Sequence, residues 1–365
     1  MTKLKRLERS FLMMLILALC AVPGPAQQKA GVQERLKRIE QMIQQEMQQS
    51  GAPGLAVAIE QDGKIVYSKG FGYADVENKV PFTPQTVSRI GSISKTFTAL
   101  SVMQLVEQGK IKLDDEVQVF VPSFPKKSSP ITIRQLLCHQ SGIRHYAGQE
   151  FLSVRHYTTV EDALAIFKDD PLGFEPGKQF GYTTYGYVLL SRVVEAASGL
   201  SFPEYLKQHI FTPLGLKTTW LDDQPLILPR RAHNYTKKKT GPLENAPQVD
   251  QSNKWGGGGL LSTAEDLLRY ADSYDGKQLL KPETIARMFT AQKTSDGKTT
   301  NYGLGWGISV EEGRRLVEHT GGSAGATSAL AKYPDQKTTI AVLVNNDFYT
   351  GPQFRARIAK ILFEP

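Results

Sequence analysis

Between Val32 and Gln49 the apolar positions fall at Leu36, Ile39, Met42, Ile43 and Met47. Spacings of three and four predict an amphipathic helix. The period then changes. Leu55-Ala56-Val57-Ala58-Ile59 and Ile65-Val66-Tyr67 flank Gln61-Asp62-Gly63-Lys64, the pattern of two strands joined by an Asp-Gly hairpin turn. From about residue 92 to 290 helical spacing dominates, most clearly over 92–108, 185–197 and 263–274. Gly109 stops the first helix, Gly199 follows the second, and Ser262 with Glu265 reads as a capping box opening the third. Strand patterns return over 302–310, 315–319, 326–333 and 338–344, before a last helix over about 353–363. Strands at both ends with helices between predict an α+β fold: one sheet built from both termini, flanked by helices, with a mostly helical inserted subdomain. The expected division is residues 27–49 as an N-terminal helical segment and 50–365 as one domain. Its α/β part is about 50–91 and 300–365, and its helical part about 92–299.

The first 26 residues follow a different logic. Lys3, Lys5, Arg6 and Arg9 precede an apolar run from Phe11 to Leu19 that is too short to span a bilayer, and Gly24 and Ala26 fit a cleavage site before Gln27. This predicts a signal peptide over 1–26 and an exported, periplasmic or extracellular protein with no stable membrane span after cleavage. A lipid anchor on Cys20 is less favoured, because Leu19 is bulky for the preceding position, and so is a mitochondrial presequence, because those are amphipathic rather than uniformly apolar. The segment also carries part of the net charge of +8, leaving +5 on the rest. The remaining basic runs, such as Lys237-Lys238-Lys239, are short and lack interleaved aromatics, so they read as solvated surface and nucleic-acid binding is not expected. Cleavage after Ala26 would leave Cys138 alone, a small buried residue rather than a nucleophile. No Cys/His spacing suggests a metal, and no cofactor is expected.

Three Ser-x-x-Lys matches occur, so the bare pattern is weak. Ser123 to Lys126 contains a proline, and Ser295 to Lys298 lies in a polar turn region; neither stacks its serine and lysine on a helix. Ser92-Ile93-Ser94-Lys95 instead opens a long apolar helix containing Phe97, Leu100, Met103, Leu105 and Val106. Residues three apart share a face, so Lys95 can reach the hydroxyl of Ser92. A serine is a poor nucleophile until a neighbour removes its proton, and a desolvated lysine can do so. The alternative, an N-cap serine beside a surface lysine, fits poorly with a lysine inside an apolar run.

These residues carry a resemblance. Ile90-Gly91-Ser92-Ile93-Ser94-Lys95-Thr96-Phe97-Thr98 resembles the nucleophile motif of penicillin-binding proteins and class C β-lactamases. Phe180-Gly181-Tyr182-Thr183-Thr184-Tyr185, after Pro176-Gly177, looks like the family's tyrosine motif, and Glu318-His319-Thr320-Gly321-Gly322 like its strand motif. Leu136 to Gly142 and Trp255 to Thr263 resemble two of its structural signatures. Ser141 to Tyr146 and the Lys254-Trp255-Gly256-Gly257 region look closest to the peptidase-like branch of mitochondrial serine β-lactamase-like proteins and their bacterial relatives. The resemblance implies a β-lactamase/transpeptidase-like fold with a central antiparallel sheet. It also implies Ser92 as acylated nucleophile, Lys95 as its partner, and Tyr182 as proton shuttle. The backbone N–H groups of Ser92 and Gly322 would form the oxyanion hole, with Thr184, His319, Thr320 and Gly321 binding substrate. His139 is expected to be structural. Thr184 stands where the lactamases carry Asn, and His319 where they carry Lys, which favours small peptide, amide or ester substrates over antibiotics. Two other readings share the fold: a non-catalytic peptide- or cell-wall-binding or self-assembling module, and a true β-lactamase. A homo-oligomer is compatible with any of them.

Overall fold

A computed structural model describes residues 25–238, 241–276 and 278–364. The signal peptide expected over 1–26, with Cys20, lies outside these residues apart from its last two, which open helix α1 (Pro25–Ser50). The hairpin follows as β1 (Gly54–Gln61) and β2 (Lys64–Asp75), then a short β3 (Val80–Pro81). Its turn has φ of 49° at Asp62 and 72° at Gly63, the doubly positive pair that a tight two-residue hairpin requires. The C-terminal strands are β4 (Gly307–Glu311), β5 (Arg314–Ser323), β6 (Ala326–Tyr333) and β7 (Thr338–Val344).

These seven strands form one antiparallel sheet in the order β3-β2-β1-β7-β6-β5-β4. The two ends of the chain join where β1 pairs with β7, Leu55 opposite Val344 and Gln61 opposite Thr338. Alternation along β1 then explains the layers. Leu55, Val57 and Ile59 face a core made with Leu36, Ile39 and Ile43 of α1 and Phe354 and Ile358 of the C-terminal helix. Ala56 and Ala58, on the opposite face, belong to the larger core that carries the helical region. That region is built on the helices Ser94–Glu107, Tyr185–Ser198 and Ala264–Asp272. The fold class read from the sequence is therefore the one observed.

Local differences have local causes. The chain makes a 3₁₀ turn over Gly91–Ile93 before the α-helix starts at Ser94, so Ser92 lies in the turn and does not cap the helix. The helix expected from Thr263 is capped one residue later than the Ser262/Glu265 reading: Thr263 accepts from the Asp266 amide, while the Ser262 hydroxyl pairs with Thr219. The expected strand 302–310 is displaced: the sheet strand is Gly307–Glu311, while Tyr302 makes a single bridge to Gly307 and Gly305 between them has φ of 90°. A second small sheet, Ser88–Arg89, Leu260–Ser262 and Trp220–Leu221, went unread because two- and three-residue strands show no period. Among the described residues no helix is long and apolar enough to cross a membrane.

Candidate active site

The site is assembled where the turn bearing Ser92 meets β5. Gly91 holds φ of 49°, and a Cβ there would lie 2.7 Å from the Gly322 amide nitrogen. A Cβ on Gly321 would lie 2.0 Å from the Ile90 carbonyl oxygen. Two glycines thus let two backbones touch, which no side chain would permit. The turn is tied from beneath: the Ser94 hydroxyl donates to the Gly91 carbonyl at 2.7 Å, and that of Ser328 to Ile90 at 2.8 Å. Ser92 and the exposed Gly322 line one pocket of about 320 Å³ together with Thr184, Lys254 and Gly258.

Lys95 is fully buried. Its Nζ lies 3.0 Å from Ser92 Oγ and 3.1 Å from Thr184 Oγ1, and donates to the Gly257 carbonyl. It also sits 4.8 Å from the centre of the Tyr182 ring. Among the described residues no carboxylate pairs with it. Burial, with a smaller push from the positive charge of Lys254, holds the Lys95 amine well below its ordinary range. Tyr182 moves the other way. Burial raises its phenol above the usual range against an opposing hydrogen bond to Ser92, so at neutral pH it is a phenol rather than a phenolate.

The structure brings Ser92, Lys95, Tyr182 and Thr184 around one point, with Gly322 beside them. Thr320 is exposed on the same strand. His319 is not available in the same way. It is 6% exposed, its Nε2 lies 2.9 Å from the Tyr302 hydroxyl, and its Nδ1 lies 2.8 Å from the Thr320 carbonyl. Burial pulls its pKa down to about 3, so the ring is neutral and both nitrogens are used inside the protein. His139 is buried at the centre of an aromatic cluster, its ring 4.3 Å from that of Tyr182 and 4.7 Å from that of Tyr302. It accepts the Thr183 amide at 3.2 Å and so holds the tyrosine loop in place. Cys138 is a buried thiol, pushed up to about 12 by burial.

Three contributors escaped the sequence reading. The Gly257 carbonyl is one; the glycine run at 256–259 exists because Gly256 packs against Ser191 and Gly257 against Thr184, where a Cβ would come within 2.8 Å and 2.4 Å. His145 is the second, accepting the Thr184 amide at 3.1 Å. Lys254 is the third. The signal was present, since a lysine directly before a tryptophan and four glycines is an unusual place for a surface charge.

A serine-bearing turn docked on an edge-proximal strand, with a buried lysine beside the serine hydroxyl, is the arrangement of the penicillin-recognising class of serine hydrolases. The Beta-lactamase family profile matches residues 39–363, and the chain belongs to that family. It is 34% identical to the human serine beta-lactamase-like protein LACTB, mitochondrial, over 79% of this chain and 70% of that protein. It is 30% identical to penicillin-binding protein 4* of Bacillus subtilis, over 78% of this chain and 66% of that one. The octameric penicillin-binding protein homologue from Pyrococcus abyssi superimposes with a TM-score of 0.81 and 33% identity, over 90% of this chain and 77% of that one. These relatives correct one expectation. The human, mouse and bovine proteins are mitochondrial, and the exported, periplasmic or extracellular location read from residues 1–26 does not stand.

Proposed function

We propose that this protein hydrolyses small peptides, amides or esters through an acyl-enzyme on Ser92. The observation that carries the reading is the buried, carboxylate-free Lys95 with its Nζ 3.0 Å from Ser92 Oγ. A neutral amine has two N–H groups and one lone pair. Thr184 Oγ1 and the Gly257 carbonyl take the two N–H groups, which leaves the lone pair for the Ser92 proton. Lys95 removes that proton as Oγ bonds to the substrate carbonyl carbon. The resulting oxyanion is held by the backbone N–H groups of Ser92 and Gly322. The proton passes from Lys95 through Tyr182 to the leaving nitrogen or oxygen, whose bond to carbon breaks and leaves the acyl group on Ser92. Water then attacks along the reverse route. Beyond Glu318 the edge of β5 has no partner in β4, so Thr320 to Gly322 can align an extended acyl chain by backbone hydrogen bonds.

Wild-type protein should hydrolyse p-nitrophenyl acetate, and Ser92→Ala should lose turnover while keeping its thermal midpoint, since removing one hydroxyl creates almost no cavity. Undiminished turnover in Ser92→Ala would overturn the reading.

β-Lactams should be poor substrates. The neutral, internally bonded His319 offers no positive charge on the Tyr182 flank for a drug carboxylate, and the Thr184 hydroxyl is engaged with Lys95. A missing charge-assisted contact costs about 1.5–3 kcal/mol, roughly ten- to a hundredfold in rate. Nitrocefin turnover should therefore lag ester turnover; the reverse order would contradict this account.

A further inference from the structure

Lys254 is used by nothing in the mechanism above, yet it forms part of the wall of the Ser92 pocket. It ends the 3₁₀ turn Ser252–Lys254 and is only 2% exposed. Its Nζ donates to the Phe151 carbonyl at 2.8 Å and lies 4.7 Å and 5.2 Å from the ring centres of Phe151 and Tyr146. The nearby carboxylates are committed elsewhere: Asp222 to Arg89 at 2.8 Å, and Asp250 to His156 at 2.9 Å. Among the described residues no carboxylate lies within ion-pair distance of Lys254. An ammonium has three donors, and only one is filled by protein oxygen. Burying such a cation is costly, and the two aromatic faces offset only part of the cost.

The pocket also has a direction. Its walls include Ser92, Gly322 and Lys254 but not Tyr182. A separate groove is bordered by Asn301 and by Phe180, two residues before Tyr182 on the tyrosine loop. Because Tyr182 delivers the proton to the leaving group, the leaving group lies on that side, and the pocket with Lys254 receives the acyl half.

We propose that Lys254 is a specificity-determining residue that binds a carboxylate carried on the acyl half of the substrate. This deepens the acyl-serine hydrolase reading and rests on it. The charge lost when His319 takes the place of a strand lysine is thereby supplied from another wall, facing the other half of the substrate. Asp347, exposed at the pocket mouth, accepts from Thr236 and the Gly325 amide and makes no ion pair with Lys254.

Burial and the repulsion of Arg89, against the attraction of Asp222 and Asp250, bring Lys254 down to about 7. Lys95 in turn feels its charge, while His145, pulled down to about 4, stays neutral. Lys254 is thus charged below about pH 7, and its hold on a carboxylate weakens as pH rises through that value.

The test compares the p-nitrophenyl esters of adipic acid and adipamic acid, which differ only in a terminal carboxylate against a carboxamide. The ratio of their kcat/KM values is the readout. Wild type should favour the adipate ester by about tenfold at pH 6.5, as expected for a charge-assisted hydrogen bond. Lys254→Met should bring the ratio near one, and Lys254→Arg should restore most of the preference. The wild-type preference should also shrink between about pH 6.5 and pH 9. This second arm decides the matter on unmodified protein should Lys254→Met fail to fold. Equal use of both esters by wild type, or a ratio that neither Lys254→Met nor pH changes, overturns the assignment of Lys254 alone. No turnover of either ester overturns the hydrolase reading, and this one with it.

Discussion

Lys95→Met should slow acylation of Ser92 by about a thousandfold, within the range measured for removing a positioned base. Methionine nearly matches the lysine stem in volume, so the core around Phe97 keeps its packing. The substitution leaves Thr184 Oγ1 and the Gly257 carbonyl without their donor, a loss of about 1–3 kcal/mol of stability. Lys95→Arg separates base from charge. Arginine keeps the positive charge but cannot release its proton, so it should be as slow as methionine. The pH profile has a fixed sign. Burial holds Lys95 well below its ordinary range, which favours the free base over the ammonium. The rate should fall only as acidification drives protons onto it. A burst of p-nitrophenol from p-nitrophenyl acetate, followed by stopped flow, measures the step directly. Acylation within threefold of wild type in either variant would contradict the role given to Lys95.

The second large effect is expected at Tyr182. Tyr182→Phe removes one oxygen and keeps the ring against His139, so the thermal midpoint should barely move. Turnover should drop by about a hundredfold or more on amides, because a poor leaving group needs its proton in the transition state. On p-nitrophenyl esters, whose leaving group departs unaided, the loss should be much smaller. Burial keeps the phenol above its usual range, consistent with a neutral relay between Lys95 and the leaving atom. The comparison uses kcat/KM for an amino-acid p-nitroanilide and its p-nitrophenyl ester. Equal losses on both would place Tyr182 outside the proton path.

What the sequence disclosed follows the strength of each local signal. Strands 326–333 and 338–344 are legible to the residue, because Gly325, Pro334-Asp335 and Asn345-Asn346 bound two segments too short for ordinary helices. Leu55 to Ile59 showed the same, and alternation between large and small residues there foreshadowed two packed faces. The 3₁₀ turn beneath Ser92 was not legible, since Gly91 is placed by its contact with Gly322, some 230 residues further along the chain. Lys254 is legible as part of a motif but not as a wall of the site, for a related reason. Its character comes from Phe151, Tyr146 and Arg89, which only the fold brings to it. His319 was legible as a departure from the lysine of the strand motif. Its internal bond to Tyr302 was not, because Tyr302 was read as part of a regular strand.

The central claim is that Ser92 is the residue that becomes acylated, and a fluorophosphonate tests it most directly. Such a probe traps an activated serine by forming a phosphorus–oxygen bond as fluoride leaves. Intact mass should show one adduct per chain on folded wild type, peptide mapping should place it on Ser92, and Ser92→Ala should remain unlabelled. A label on Ser94 or Ser123, or undiminished labelling of Ser92→Ala, would contradict the account.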